Sequence, residues 1–381
     1  MERYDISSLL TPALVALREE FVARGFDLRL VGGCVRDFLY GTTPKDVDLC
    51  TDADPDEQIS GYKDLGIRYI EPGLQHGTVT AVLDGETYEI TSLRMDAETD
   101  GRHAVVVYTR DWIKDLERRD LTINAMSMTF DGILIDPFNG LNDLREGLVA
   151  FVGNAEARIR EDYLRILRWF RFRGRYGMSM SYSARRAIEK LASGLQYISR
   201  ERVWMEISKI VAGNDGPYIM LEMHQMGISE HVDLLLELDY IDHSQDVHAI
   251  TRNPITLMVA LYDNYAVDIL TKWKASGDEI NLAKWLSKNR FLERSPFRYL
   301  AVDRVSRAWA MELAALRCMD GFDRDVLLEW EVPVFPVNGR DLIDLGYAQD
   351  KTIGLILNLL KETWAVNNYS MSKEELLDSL M

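Results

Sequence analysis

Cysteine is scarce in this chain: three in 381 residues, at positions 34, 50 and 318. That number cannot build a disulfide framework, and the spacing does not suit a structural zinc site. With no histidine beside them, Cys34 and Cys50 read as small buried fillers. Long apolar runs are missing too; the longest fall far short of the roughly 20 residues that cross a bilayer, so no membrane association is expected. The opening Met1-Glu2-Arg3-Tyr4-Asp5 has neither the apolar centre of a secretory leader nor the Arg-rich character of a transit peptide. The expected location is the cytoplasm, with a mitochondrial form after processing as the alternative. Low-complexity tracts and internal repeats are lacking, which argues against solenoids and linkers. Positive charge is short: 44 Lys and Arg face 61 Asp and Glu, a formal net charge of −17. An evenly basic nucleic-acid binder is therefore excluded.

What is present suits a folded chain of more than one domain, with 47% hydrophobic and 28% charged residues. The basic residues are concentrated. Arg158, Arg160, Arg165, Arg168, Arg171, Arg173 and Arg175 fall within 18 residues, and Arg185, Arg186, Lys190, Arg200 and Arg202 follow. A focused positive groove on an acidic body can steer a polyanion without general stickiness.

Residues 31–50 organise the rest. They read as a strand, the pair Gly32-Gly33, a short helix, a turn at Thr43-Pro44 and a strand carrying Asp46 and Asp48. Glycines at a strand end let the backbone approach an anion, toward which the N–H groups of the next helix point. Arg36, within a turn of that helix start, can grip phosphate oxygens in a fork. Alternation along a strand puts Asp46 and Asp48 on one face, suiting Mg²⁺ shared with a triphosphate. The plainer reading is two polar residues on a half-exposed strand.

This stretch resembles the first motif of the class II tRNA nucleotidyltransferases, the CCA-adding enzymes and their poly(A) polymerase relatives. The remaining chain is read beside that resemblance. Apolar spacing over 8–24 predicts a helix capped by Ser7 or Ser8 and stopped by Gly25. Asp54-Pro55 opens another, ending near Gly61. Runs 78–83 and 87–93, joined through Asp84-Gly85, predict a hairpin. Glu89 on the second run either faces solvent or has a task. The resemblance implies that it completes the metal site with Asp46 and Asp48. Residues 94–104 are polar and aperiodic, and read as a mobile loop. The resemblance implies the loop needed for terminal A addition, while His103 reads as a surface residue.

In Glu117-Arg118-Arg119-Asp120-Leu121-Thr122-Ile123-Asn124, Asp120 and Asn124 are spaced at a helix start to bond ribose hydroxyls, although Asp120 also suits a simple cap. The string matches the family's second motif, which implies triphosphate contact by Arg119. Over 156–175 an apolar helical face is flanked by Asp162 and Arg165, three apart. The plain reading is a surface ion pair. The chemical reading is a template: a carboxylate accepts from the exocyclic amine of C or A, and a guanidinium donates to the neighbouring ring nitrogen. U and G would present the wrong groups to both. Arg168 and Arg171, one and two turns on, suit triphosphate or stacking. Glu161-Asp162-Tyr163-Leu164-Arg165-Ile166-Leu167-Arg168 matches the family's nucleotide-recognition motif. Ser199-Arg200-Glu201-Arg202-Val203-Trp204 resembles its last shared neck motif, and 334–380 the tail of the animal-type enzymes. His243 and His248 near Asp242 and Asp246 suggest a metal site, but the order is Asp-His and further ligands are lacking.

The fold class expected is α+β: an N-terminal nucleotidyltransferase head with a mixed sheet, then an all-α neck, body and tail. Boundaries are set at 1–140, 141–205 and 206–381. The function implied is template-independent addition of C, C and A to the tRNA 3′ end from CTP and ATP, with Mg²⁺ and the tRNA acceptor arm as partners. The competing readings are a poly(A) polymerase, a non-catalytic RNA-binding protein on the same fold, and a small-molecule nucleotidyltransferase. Oligomeric state stays open between monomer and homodimer.

Overall fold

Alternation and β-branched content build the sheet at the N-terminal end. In chain order its strands are β1 (Leu28–Val31), β2 (Leu49–Thr51), β3 (Arg68–Gly73), β4 (Thr78–Leu83), β5 (Glu86–Ser92), β6 (Arg94–Asp96), β7 (Val106–Tyr108), β8 (Ser127–Met128) and β9 (Leu134–Ile135). The computed structural model describes residues 2–74, 77–96, 106–177, 179–234, 240–292, 294–319 and 321–380. Among these, seven strands form one mixed sheet in the order β3-β4-β5-β2-β1-β8-β9, while β6 and β7 pair separately. β1 runs antiparallel to β2 and β8, and β2 runs parallel to β5 with Leu49 beside Ile90 and Thr51 beside Ser92. Leu30, Leu49, Val79 and Ile90 are buried in one core with Leu14, Phe21 and Tyr62 from the covering helices. The expected hairpin forms, because Asp84 and Gly85 both take positive φ, 51° and 84°.

Several boundaries differ from the sequence expectation. β2 begins at Leu49, so Asp46 and Asp48 precede the strand; the Asp48 carbonyl still accepts from Val31 N at 3.0 Å, which keeps the approach in register. The first long helix, α1 (Pro12–Ala23), starts where Thr11 caps Leu14 N and Pro12 fixes the first turn, leaving Ser7–Leu9 as a separate 3₁₀ turn. α2 (Gly33–Leu39) follows the glycine pair. α3 (Pro55–Leu65) runs through the buried Gly61, held at its start by a capping box of Asp54 and Glu57 and stopped by Gly66 at φ +66°. α4 (Trp112–Glu117) ends before the Arg118-Arg119 pair, so Asp120 and Asn124 lie on a turn around the 3₁₀ segment Thr122–Asn124, not on a helix start. The expected loop at 94–104 begins as paired strand at Arg94–Asp96; residues 97–104, His103 included, lie outside the described residues.

After α5 (Gly140–Arg145) comes the largest departure. The single helix expected over 156–175 is two, α6 (Ala155–Glu161) and α7 (Leu164–Tyr176), broken at Asp162, whose backbone is extended at φ −155°. α8 (Tyr182–Leu191) follows.

By internal packing the chain divides into two units: Met1–Ile198 with Gln225–Val232, and Ser199–His224 with Asp233–Met381. The second is helical among its described residues. Its helix Pro254–Tyr262 is buried from Ile255 through Tyr262, and Leu360, Trp364 and Leu376 form a core of the tail. His248 Nε2 bonds the Gly213 carbonyl at 2.6 Å, and His243 faces Cys318 Sγ at 3.9 Å, so these histidines are engaged in packing.

Candidate active site

The site is built where three local devices meet. The first is the glycine pair. Gly32 holds φ +65°, and a Cβ there would fall 2.6 Å from Arg119 NH1. Only glycine leaves room for that guanidinium. The second is the parallel pairing of β2 with β5. One step back along its register, Asp48 comes beside Glu89, both facing away from the buried Leu49 and Ile90. The third is the break at Asp162, whose Oδ1 accepts from Leu164 N at 3.0 Å and starts α7. The residue thus caps the helix that carries Arg165, Arg168 and Arg171.

A cavity of about 550 Å³ joins them. Gly32, Gly33, Arg36, Asp48, Glu89, Arg119, Asp120, Asn124, Asp162, Arg165, Arg168 and Arg171 all line it. Every candidate nucleotide-binding residue therefore faces one space. Asp46 is exposed and off this lining, although its charge reaches Asp48. Asp48 is exposed as well, but the cavity wall around its carboxyl desolvates it and pushes it up; Arg119 and Arg36 oppose this, while Asp46 and Glu89 reinforce it. Among the described residues no three His, Cys, Asp or Glu side chains stand close enough to hold a metal alone. A carboxylate pair supplemented by phosphate oxygens is nevertheless the usual way a hard cation such as Mg²⁺ is held, and crowded like charges favour it.

The polar residues are held among themselves. Arg36 is buried; its Nε donates to Asp37 Oδ1 and Tyr176 OH, each at 2.9 Å, and its NH1 to Asn124 Oδ1. Asn124 Nδ2 donates to Asp120 Oδ1 at 3.1 Å, and Arg168 Nε donates to Asp120 Oδ2 at 2.6 Å. Burial would raise the Asp120 carboxyl, but Arg168 and its hydrogen bonds hold it below the ordinary carboxylate range. Arg165 spends NH1 on Glu161 and the Arg158 carbonyl and NH2 on the Arg118 carbonyl, which leaves Nε and one NH2 hydrogen for a ligand. The ion pair it makes is with Glu161.

Sequence reasoning missed Arg94, Thr91 and Phe172, which line the cavity together with Arg118. Arg118 was visible as half of an arginine pair. Phe172 looked like ordinary helix core, yet Arg36, Arg168 and Arg171 lie 4.8, 5.8 and 4.5 Å from its ring centre. Asp115 was also overlooked. It is fully buried, accepts from Arg118 NH2 at 2.6 Å and Arg119 NH2 at 3.2 Å, and so aims both arginines. Cys34 and Cys50 are buried, and burial lifts their thiols to about 11 and about 12, which keeps them inert near neutral pH.

The Poly A polymerase head domain family matches residues 28–150, and a probable RNA and SrmB-binding site of polymerase A matches 177–237. The CCA tRNA nucleotidyltransferase 1, mitochondrial, of Danio rerio is 39% identical, covering 99% of this chain and 92% of its own length. The chain belongs to the CCA tRNA nucleotidyltransferases. The Homo sapiens relative of the same name is also 39% identical, with 98% and 91% covered. This class II chain, near the animal-type enzymes, also resembles the Bacillus stearothermophilus CCA-adding enzyme crystallised with CTP: TM-score 0.79, 25% identity, 97% and 98% of the two chains covered. Among the described residues no helix is long and apolar enough to cross a membrane.

Proposed function

We propose that this enzyme adds C, C and A to the 3′ end of tRNA from CTP and ATP, releasing pyrophosphate, and selects each base with its own side chains. The observation that carries the reading is that Asp162 and Arg165 line the same cavity as the glycine pair, Asp48, Glu89 and Arg119. Base selection and phosphate chemistry therefore share one space.

In this reading the triphosphate lies against the N–H groups at the start of α2 and between Arg119, Arg168 and Arg171. Asp120 and Asn124 meet the ribose hydroxyls. Asp162 accepts from the amine of C or A while Arg165 donates to the adjacent ring nitrogen; a carbonyl against Asp162 is rejected. The tRNA 3′ hydroxyl attacks the α-phosphate, and catalysis is mainly positioning and charge neutralisation. Mg²⁺, when bound by Asp46 and Asp48 with Glu89 alongside, supplies the charge that the triphosphate needs and lowers the pKa of the attacking hydroxyl. The division into head, neck, and body with tail at 140 and 205 is kept as a functional one, the helical parts holding the acceptor arm by backbone shape. The animal relatives are named as mitochondrial, so both a cytoplasmic and a mitochondrial seat fit this reading.

The test is incorporation of each labelled nucleotide into tRNA lacking its 3′ end. C, C and A are expected; a run of A alone supports a poly(A) polymerase instead. Asp46→Ala and Asp48→Ala are each expected to abolish addition at an unchanged melting temperature, and retained turnover in either discards the metal assignment. For Asp162→Ala, UTP and GTP should begin to compete. Unchanged selectivity removes the template.

A further inference from the structure

Beside the cavity lies a buried polar cluster that the reading above does not use. Asp37, on α2, is 8% exposed and receives four donors: Arg36 Nε at 2.9 Å, Arg36 NH2 at 2.8 Å, the Tyr176 hydroxyl, and Arg175 NH2 at 3.2 Å. Tyr176, at the last turn of α7, is 4% exposed and also accepts from Arg36 Nε at 2.9 Å. The Arg36 guanidinium is further flanked by the rings of Phe172 and Tyr176, at 4.8 and 4.9 Å. Burial pushes the Tyr176 hydroxyl up to about 12, so it remains the donor to Asp37 at working pH. Neither Asp37 nor Tyr176 is part of the cavity lining.

The hydrogen bonds leaving this cluster form one chain that ends at Arg168. Arg36 NH1 donates to the Asn124 carbonyl oxygen, which forces the amide nitrogen of Asn124 toward Asp120; Asp120 uses its other oxygen for Arg168. Each group is oriented by the one before it, and a shift in one member loosens the next. Arg168 is thus fixed at the cavity wall from its own helix and, through five side chains, from the far end of that helix.

We propose that Asp37 and Tyr176 are positioning residues which set the affinity for the incoming nucleotide by locking Arg36 and, through Asn124 and Asp120, Arg168. Arg36 then serves chiefly as the hinge pin of this chain rather than as a phosphate fork. The inference rests on the reading above, in which Arg168 contacts the triphosphate.

The experiment is steady-state kinetics of Tyr176→Phe, Arg168→Ala and the double variant, varying ATP on tRNA lacking only the terminal A, with melting temperatures recorded. Tyr176→Phe keeps the ring and removes only the hydroxyl. It should raise KM for ATP about 3- to 10-fold with kcat and melting temperature nearly unchanged. In the Arg168→Ala background the same substitution should add nothing, because the coupled group is gone. Asp37→Asn should raise KM for ATP in the same way, at a lower melting temperature because the buried Arg36 loses its charged partner. If Arg168→Ala alone leaves KM unchanged, the placement of the triphosphate fails. If Arg168→Ala raises KM but Tyr176→Phe does not, or the two effects simply multiply, the positioning role is overturned.

Discussion

At the scale of single residues, the site depends on backbone freedom and on desolvated charge. Gly32 shows the first. Its φ of +65° is unfavourable for any L side chain, and the Cβ of an alanine would meet Arg119 at 2.6 Å. Gly32→Ala should therefore cost about 1–3 kcal/mol of stability and raise KM for both nucleotides, as read from urea unfolding and initial rates. A variant with wild-type values in both would show that the arginine does not need that space. Buried polar groups show the second. Arg36, Asp120 and Asn124 are buried and mutually bonded, so replacing one leaves its neighbours unsatisfied. The identity of these residues was legible in the sequence. That Arg36 is held by Asp37 and Tyr176 was not, because no periodicity in the chain relates positions 36 and 176.

At the scale of elements, α6 and α7 carry the clearest lesson. Apolar spacing runs through 156–175 without interruption, and a continuous helix was the natural reading. The structure breaks it at Asp162, an aspartate whose side chain is more use capping Leu164 than continuing a helix. The break takes Asp162 out of the helical register shared with Arg165, yet both still reach one cavity. Capping and selection can be separated. Asp162→Asn keeps an oxygen for the Leu164 N–H and should melt near wild type, while its discrimination of C and A against U and G declines. Asp162→Ala should lose discrimination and about 1 kcal/mol of stability besides. Equal melting temperatures for the two variants, from parallel thermal scans, would refute the cap. The hairpin of β4 and β5 went the other way. Its Asp84-Gly85 turn was explicit in the sequence, since a tight turn of that type is encoded by two adjacent residues.

At the scale of the whole molecule, the net charge of −17 conceals a positive interior to the site. Arg118 and Arg119 are carried by the fully buried Asp115, and Arg168 by Asp120. Burial alone would raise the Asp115 carboxyl, but Arg119 and Arg118 hold it below the ordinary range. A carboxylate lowered in the folded state contributes stability that is complete above its unfolded pKa of about 3.9. That contribution fades as pH falls through the folded value. Asp115→Asn should accordingly be less stable at neutral pH but show a shallower loss of stability below about pH 4. Urea midpoints across that range check this, and parallel curves for the two proteins would exclude Asp115 as the source.

The sequence by itself determined which residues are available, the order of the motifs, the short-range turns and the sheet-then-helix arrangement, because each is encoded within a few neighbouring positions. The tertiary structure decided which side chains share a cavity, that Arg165 is tied to the Arg118 carbonyl, that Asp120 holds Arg168, and that Asp37 meets Tyr176 and Arg175. Those pairings join positions far apart in the chain or on different elements. They are settled by strand register and by the cost of burying a charge without a partner, and neither leaves a local pattern to read.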